Sequence, residues 1–185
     1  MSFELPKSLN VNGKELAIRW EYTAILDIIS ALNDPELEDG EKAYVCLYIL
    51  YEDFELLSRD DYSEAMKKAQ WFMDSGVENR KTSNIRMVDF EQDANILFPA
   101  VNRVAGREIR GEPGIHWWTF LGWFMEIGEC TYSSVLNVRR KKAKGKSLEK
   151  WEQEFYLENR DICDIKPKLT QKEKEEEEML NRLLS

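Results

Sequence analysis

From Tyr22 onwards, apolar residues in this chain recur every three or four positions, and this spacing constrains the fold more than any other feature. A period of about 3.6 residues is that of an amphipathic α-helix, whereas a strand alternates with a period of two. Only the residues before Arg19 alternate. We therefore predict a mainly α fold: a compact helical domain of about six to eight helices with an N-terminal β-hairpin.

The hairpin is predicted from Asn12-Gly13, because a type I′ turn needs positive φ at both central positions and this pair tolerates it best. A two-residue loop then pairs Val11 with Lys14. A two-stranded ribbon alone is only marginally stable, so one face should pack on helices. The residues expected on that face are Leu9, Val11, Leu16 and Ile18.

Three helices should follow the hairpin. The first begins near Tyr22 and ends at Asn33-Asp-Pro35, because proline disfavours the helical region for the residue before it. The third opens at Ser58, a helix cap with an acid three residues later. The second begins near Gly40, and its inward stripe should be Tyr44, Leu47, Tyr51, Phe54 and Leu57.

The segment 74–87 has neither period and is rich in turn-forming residues, so we expect a mobile surface loop there. Acids at 89, 91 and 93 favour the start of another helix, which Pro99 should kink and Gly106 should end. The segment 115–127 is apolar nearly all round, which is typical either of a core helix or of a helix that meets a partner. We favour the core. The side chains expected to be mostly buried there are Trp117, Phe120, Leu121 and Phe124.

The last third of the chain is more polar. A short helix through Tyr132 should lead into the basic run 139–146, and Ser147 should cap another helix that turns Leu148, Trp151 and Phe155 inward. The pattern breaks around Pro167, and Thr170 with Glu173 forms a capping box for a final charged helix. We therefore divide the chain into a domain, residues 1–166, and a separable C-terminal helical arm, residues 167–185.

Charge is distributed unevenly. The net charge is −9, yet residues 34–64 alone hold eleven acids and two bases, while six bases lie between Arg139 and Lys146. Such a lopsided molecule favours head-to-tail self-association or an oppositely charged partner.

The three cysteines are widely spaced and suit free thiols in a reducing compartment. No apolar run approaches the roughly 18 residues that a membrane span needs. The N-terminus also lacks the basic and apolar regions of a signal peptide. We expect a cytoplasmic protein that does not interact with membranes.

The sequence offers little to catalysis. His116 is the only histidine, and a general base would need an orienting partner and a nucleophile. We favour a local structural role for it at a helix start. The cysteines lack zinc-ligand spacing, and the acids at 60–61 and 89–93 could hold a cation but more commonly serve as helix-dipole partners. We expect no enzyme activity, no cofactor and no metal.

Partner binding remains, and three groups of residues are candidates for it. Trp118 and Trp123 lie on the aromatic helix, although core packing explains them more simply. The basic run could contact phosphates, but it has no interleaved aromatic residue to stack on bases, so we do not expect a nucleic-acid partner. The C-terminal helix could equally pack on its own domain. The remaining candidates are Arg139, Arg140, Lys141, Lys142, Met179, Leu180, Leu183 and Leu184.

Four features in order resemble the phage "gene product fifteen" family over roughly residues 3–162. They are a Leu-Pro and Asn-Gly hairpin, Asp89-Phe-Glu-Gln-Asp-Ala94 at a helix start, Ile115-His-Trp-Trp-x-Phe120, and a Lys-Gly-Lys-Ser link into Trp151-Glu-Gln-Glu-Phe-Tyr. The loop 106–114 departs from the shorter loop of the family. The His-Trp-Trp-x-Phe box is the most specific of these features.

The resemblance implies a protein of the tail module of long-tailed phages of Gram-positive hosts, made in the host cytoplasm. Such proteins are regarded as tail-assembly chaperones that bind the tape-measure protein and other tail-assembly proteins, and self-association is open. One alternative is a structural tail or connector protein retained in the virion. The other is a nucleic-acid-binding protein that uses the basic run.

Overall fold

The computed structural model describes residues 4–77 and 86–184. Within these ranges the chain forms one two-stranded sheet and nine α-helices, eight of which precede Pro167. The predicted class is confirmed: the fold is mainly α, with an N-terminal hairpin and a C-terminal helix. Of the segment expected to be a mobile loop, residues 74–76 form a turn, and residues 78–85 lie outside the described part.

The hairpin has the predicted register. Strands β1 (Ser8–Val11) and β2 (Lys14–Ala17) are antiparallel, and Val11 lies opposite Lys14. Both residues of the Asn12-Gly13 turn have positive φ, 51° and 85°. β1 packs on the third helix, and the predicted apolar face is buried: Leu9, Val11, Leu16 and Ile18.

Helices α1 (Tyr22–Leu32) and α2 (Asp39–Leu50) pack along each other. α1 ends before Asn33, as the following proline predicts. The side chain of Tyr22 is buried, and its hydroxyl donates to the carbonyl of Ile109 at 2.9 Å. This bond ties α1 to the loop before the aromatic helix.

The prediction for the second helix was wrong in its length and in part of its inward stripe. α2 ends at Leu50, and Tyr51 is extended and bridges to Ile18 beside the hairpin. Arg19 stabilises this end, because its guanidinium donates to the carbonyl of Ile49 at 2.7 Å, and to two neighbouring carbonyls. After a 3-10 turn, Phe54–Leu56, the chain reaches Leu57. Tyr44, expected in the core, is exposed.

The third helix, α3 (Tyr62–Met73), follows a 3-10 turn, and the predicted cap is present. The carboxylate of Asp61 accepts from the backbone and the hydroxyl of Ser58. It also accepts from Asn12 at 2.8 Å and from Lys14 at 2.9 Å. These hydrogen bonds, first those from Asn12 and Lys14, hold the pKa of Asp61 far below its ordinary value. One carboxylate therefore joins the hairpin to α3.

The core is closed by α4 (Ala94–Ala105) and α5 (Trp117–Met125). Gly106 ends α4 with a φ of 70°, as predicted. Phe120 of α5 is fully buried, and its ring stacks on that of Tyr22 at 4.9 Å. Of the four α5 side chains expected to be mostly buried, Trp117 and Phe120 are buried, and Leu121 and Phe124 are half-buried.

The remaining helices are α6 (Thr131–Ala143), α7 (Lys150–Glu158), α8 (Arg160–Cys163) and α9 (Gln171–Leu184). Val135 and Val138 of α6 form a second, smaller core with Cys163. The first part of the basic run, residues 139–143, forms the end of α6.

The start of α7 differs from the prediction. A capping box of Glu149 and Glu152 opens it instead of Ser147. Trp151, expected inside, is 50% exposed, and the buried residue of this helix is Glu152.

Candidate partner-binding surfaces

The aromatic helix α5 serves the core more than a surface. The indole N–H of Trp118 donates to the carbonyl of Phe72 at 2.8 Å, and its ring meets that of Trp71 edge-on at 5.5 Å. Trp117 donates in the same way to the carbonyl of Met73 at 2.9 Å. Trp123 is half-buried against the same core. The two tryptophans predicted to meet a partner therefore anchor α5 to α3 or pack on the interior.

His116 has the local structural role that we favoured. Its Nδ1 accepts from the backbone N–H of Trp118 at 3.0 Å, and its Nε2 lies 2.9 Å from the carbonyl of Pro6. The ring stacks on Trp20 at 5.7 Å. Burial lowers the pKa of His116, although the hydrogen bond with Pro6 opposes this effect. An accepting Nδ1 and a donating Nε2 define the neutral imidazole, which caps α5 and fixes the chain before the hairpin.

Arg139, predicted to bind a partner, is instead in the interior with 7% exposure. Its guanidinium forms two contacts of 2.7 Å with the carboxylate of Asp93, which precedes α4. It also donates to the carbonyl of Cys163 at 2.9 Å and to those of Ile162 and Met87. A buried charge is tolerated only when it is paired and hydrogen-bonded, and this arginine joins α6 to α4 and α8.

Two further bases of the run also have acidic partners in the fold. Lys141 lies 2.7 Å from the buried carboxylate of Glu152, which also accepts from Asn137 at 2.7 Å. Lys142 pairs with Asp164, and its ammonium lies over the ring of Tyr156 at 3.9 Å. Three of the six bases in the run are therefore paired with acids of the same chain, which weakens the case for a continuous phosphate-binding surface.

The rest of the run, together with the start of α7, forms a smaller exposed surface, which we name the basic corner. It lies at the turn between α6 and α7. Glu149 is the acid beside it and leans towards Lys141 at 3.3 Å. The residues of the basic corner are all exposed: Arg140, Lys144, Lys146, Lys150 and Trp151.

The acidic segment carries a surface that the sequence interpretation missed. The rings of Tyr44 and Tyr48 stack at 6.2 Å, and that of Phe54 meets both edge-on at 5.2 and 5.6 Å. Tyr44 is 49% exposed and Tyr48 56% exposed. Exposed acids precede and follow these rings along the chain. The acidic aromatic surface, as we call it, comprises Glu41, Tyr44, Tyr48, Glu52, Asp53, Phe54 and Glu55.

One sequence signal could have revealed this surface. Tyr44 and Tyr48 are four residues apart on one helix face, with Glu41 three residues before Tyr44 and Glu52 four residues after Tyr48. A core stripe is rarely flanked by charges in this way, since buried acids require partners. The inward stripe of α2 uses Cys46, Leu47 and Leu50 instead.

The root of the C-terminal arm is fixed to the domain. The side-chain amide of Gln92 donates to the carbonyl of Lys166 at 2.8 Å and accepts from its N–H at 3.0 Å. Lys168 lies 2.7 Å from Glu91, and the N–H of Gln171 donates to Glu36. The predicted capping box of Thr170 and Glu173 is present. The chain is therefore held up to the start of α9.

Helix α9 itself is exposed from Gln171 to Leu183. Met179 is 65% and Leu183 78% exposed, and Leu180 lies on the same side of the helix. The side chain of Leu184 lies outside the described part. Exposed apolar residues grouped on one helix face commonly mark an interaction site. The separability of the arm stays a prediction.

Within residues 4–77 and 86–184, no group of three or more His, Cys, Asp and Glu side chains is arranged to hold a metal ion. Among the acids at 60–61 and 89–93, Asp61 pairs with Lys14, Asp89 with Arg86 and Asp93 with Arg139. In the same part of the chain no helix is long and apolar enough to cross a membrane.

No curated protein and no solved structure matches the chain. A family model does match: the one described as Bacteriophage Gp15 protein, over residues 1–165. The match ends just before Pro167, so α9 lies beyond it.

Proposed function

The chain belongs to the Bacteriophage Gp15 protein family, and from that premise we propose that it is a tail-assembly chaperone that binds the tape-measure protein of its phage. Family membership supports a role among the structural and tail-module proteins of a phage. The finer role rests on the resemblance in sequence and on the surfaces of this chain. Binding, rather than chemistry, suits a molecule whose sole histidine and buried ionic groups serve the fold.

The observation that carries the proposal is α9. Its apolar residues Met179, Leu180 and Leu183 are exposed, while the linker before it is fixed to the domain. An amphipathic helix binds a helical partner by burying such residues in a shared groove. Because methionine and leucine side chains adapt to varied neighbours, they suit a long client with many similar segments. α9 lies beyond the family match, so it suits contact with a client peculiar to this phage.

A co-expression pull-down with the tape-measure protein of the same phage tests this role. We expect the client to be recovered with the wild-type chain and to be largely lost with Leu180→Asp/Leu183→Asp. The matched control is Lys174→Gln/Asn181→Asp, which makes the same change in net charge on the opposite face of α9. Equal recovery with both variants would exclude α9 as the client site. No recovery with the wild-type chain would refute the chaperone role.

Mature particles separate the chaperone from the retained structural protein. A chaperone acts during assembly and leaves, so quantitative mass spectrometry of purified virions should find this chain absent or far below stoichiometric amounts. A fixed copy number per tail would instead identify a permanent tail or connector component.

A further inference from the structure

The acidic aromatic surface and the basic corner differ in chemistry, and both are exposed on one molecule. The first presents two half-exposed tyrosine rings, and four exposed acids lie before and after them along the chain. The second presents four cationic side chains beside a half-exposed tryptophan. Each combines charge with an apolar contact, and the signs are opposite.

The charge of the basic corner is not cancelled within the fold. Arg139, Lys141 and Lys142 pair with Asp93, Glu152 and Asp164. The remaining bases, Arg140 and Lys144 among them, are exposed and form no ion pair among the described residues. The basic corner therefore carries positive charge that no acid of the described chain compensates.

We propose that the acidic aromatic surface of one copy binds the basic corner of a second copy, so that the protein self-associates head to tail. Tyrosine rings attract lysine and arginine because the ring quadrupole makes the electrostatic potential over the ring face negative, and the exposed acids next to them in the chain add to that attraction. Trp151 supplies apolar area to the contact. Tyrosine, tryptophan and arginine are the residues most enriched where protein interfaces are strongest.

The contact uses different surfaces on the two copies, which determines what it can build. α2 packs against α1 and α3, whereas α6 packs against α4, α7 and α8. The two surfaces therefore belong to different parts of the molecule. Two copies joined head to tail leave the acidic aromatic surface of one copy and the basic corner of the other unused, so further copies can add to form a ring or a filament.

This inference is separate from client binding by α9. Both surfaces lie within the residues that the family model matches, and α9 does not. The charge reversals within the two surfaces therefore leave α9 unchanged, and the variants of α9 leave both surfaces unchanged.

Sedimentation velocity over a range of concentrations tests the proposal. At low salt we expect the wild-type chain to grow beyond a dimer as concentration rises. At about 1 M salt, where charges are screened beyond roughly 3 Å, it should shift towards monomer. A monomer at every concentration, or growth that stops at a dimer, would overturn the proposal.

Charge reversal assigns the surfaces. Glu52→Lys/Glu55→Lys and Arg140→Glu/Lys144→Glu should each weaken association by roughly tenfold or more, because like charges would then face each other. The matched controls are Glu126→Lys/Glu129→Lys and Lys172→Glu/Lys174→Glu, which change net charge equally at exposed positions elsewhere. The controls should associate as the wild-type chain does.

A mixture of the two charge-reversed chains provides the decisive test. Equal amounts of the two charge-reversed chains should associate again, because every junction between unlike copies once more pairs opposite charges. A general defect in folding predicts no such recovery, and thermal melting of each chain alone checks that each is folded. Absence of recovery, or loss of association in the controls as well, would show that these surfaces do not meet.

Discussion

The guanidinium of Arg139 and the carboxylate of Asp93 form a two-contact ion pair of 2.7 Å within the protein. Arg139→Met should lower the free energy of unfolding by about 3–5 kcal/mol, because it leaves a carboxylate buried without its partner. Chemical denaturation measures this. Arg140→Met, one position along and exposed, is the control and should change stability little. Equal effects would mean that the buried pair is not important for stability.

Phe120 is fully buried against Tyr22 and Trp117. Phe120→Ala should cost about 3–5 kcal/mol of unfolding free energy, since it removes a ring and leaves a cavity. Met125→Ala on the same helix, where the side chain is 76% exposed, serves as the control. An unchanged denaturation midpoint for Phe120→Ala would contradict the position of α5 in the core.

The stability of the protein should depend on pH through His116. Burial lowers its pKa in the folded state below the ordinary value of 6.5, so the unfolded chain binds a proton more readily. Stability is therefore full above pH 6.5 and is lost as the pH falls towards the folded pKa. His116→Asn keeps a cap acceptor without titrating. Between pH 7 and about 5.5 its midpoint should change less than that of the wild-type chain, and parallel curves would refute this role.

Tyr132 is buried, and within the described residues its hydroxyl has no hydrogen-bond partner. Leaving a hydroxyl unsatisfied costs about 1–3 kcal/mol. Tyr132→Phe keeps the ring and removes that cost, so thermal unfolding should occur at a higher temperature. The control is Tyr156→Phe, which removes a hydroxyl that bonds Asp164 at 2.7 Å and should lower stability. A destabilised Tyr132→Phe would reveal a buried partner, such as a water molecule.

Truncation tests where the arm begins. The side chains of residues 172–183 are all exposed, so removing residues 172–185 should change the unfolding free energy by less than about 0.5 kcal/mol. Removing residues 166–185 also deletes the bonds to Gln92 and Glu91 and should cost more, about 1–2 kcal/mol. Equal stability of the two truncated chains would place the boundary at Pro167. Unfolding of the shorter truncation would make α9 part of the core.

Local signals in the sequence were sufficient for much of the fold. The Asn12-Gly13 pair determined the hairpin and its register, and the caps at Ser58 and Thr170 marked two helix starts correctly. These features act within a few residues, so their outcome can be read from a short window. Apolar spacing likewise predicted the burial of Phe120.

Features that depend on distant residues could not be read in this way. α2 ends at Leu50, where Arg19, far away in the sequence, donates to the carbonyls of Ile49 and Tyr51. Arg139 was predicted to lie on the surface with the rest of the basic run, since no residue near it in the sequence indicates its ion pair with Asp93. Glu152 is buried in an ion pair with Lys141, which lies on another helix. Of the residues predicted to bind a partner, Arg139 lies inside the fold for this reason, whereas Met179, Leu180 and Leu183 are exposed.

The two hydrogen bonds between the side chain of Gln92 and the backbone of Lys166 fix the chain before α9 to the domain. The helix has 14 residues, and at 1.5 Å per residue it is a lever about 21 Å long. Its apolar residues Met179, Leu180 and Leu183 can therefore move only within about that distance of the end of the linker. A tip confined to so small a volume loses little freedom when it is captured, so the entropy that opposes binding is lower than for a free peptide of the same sequence.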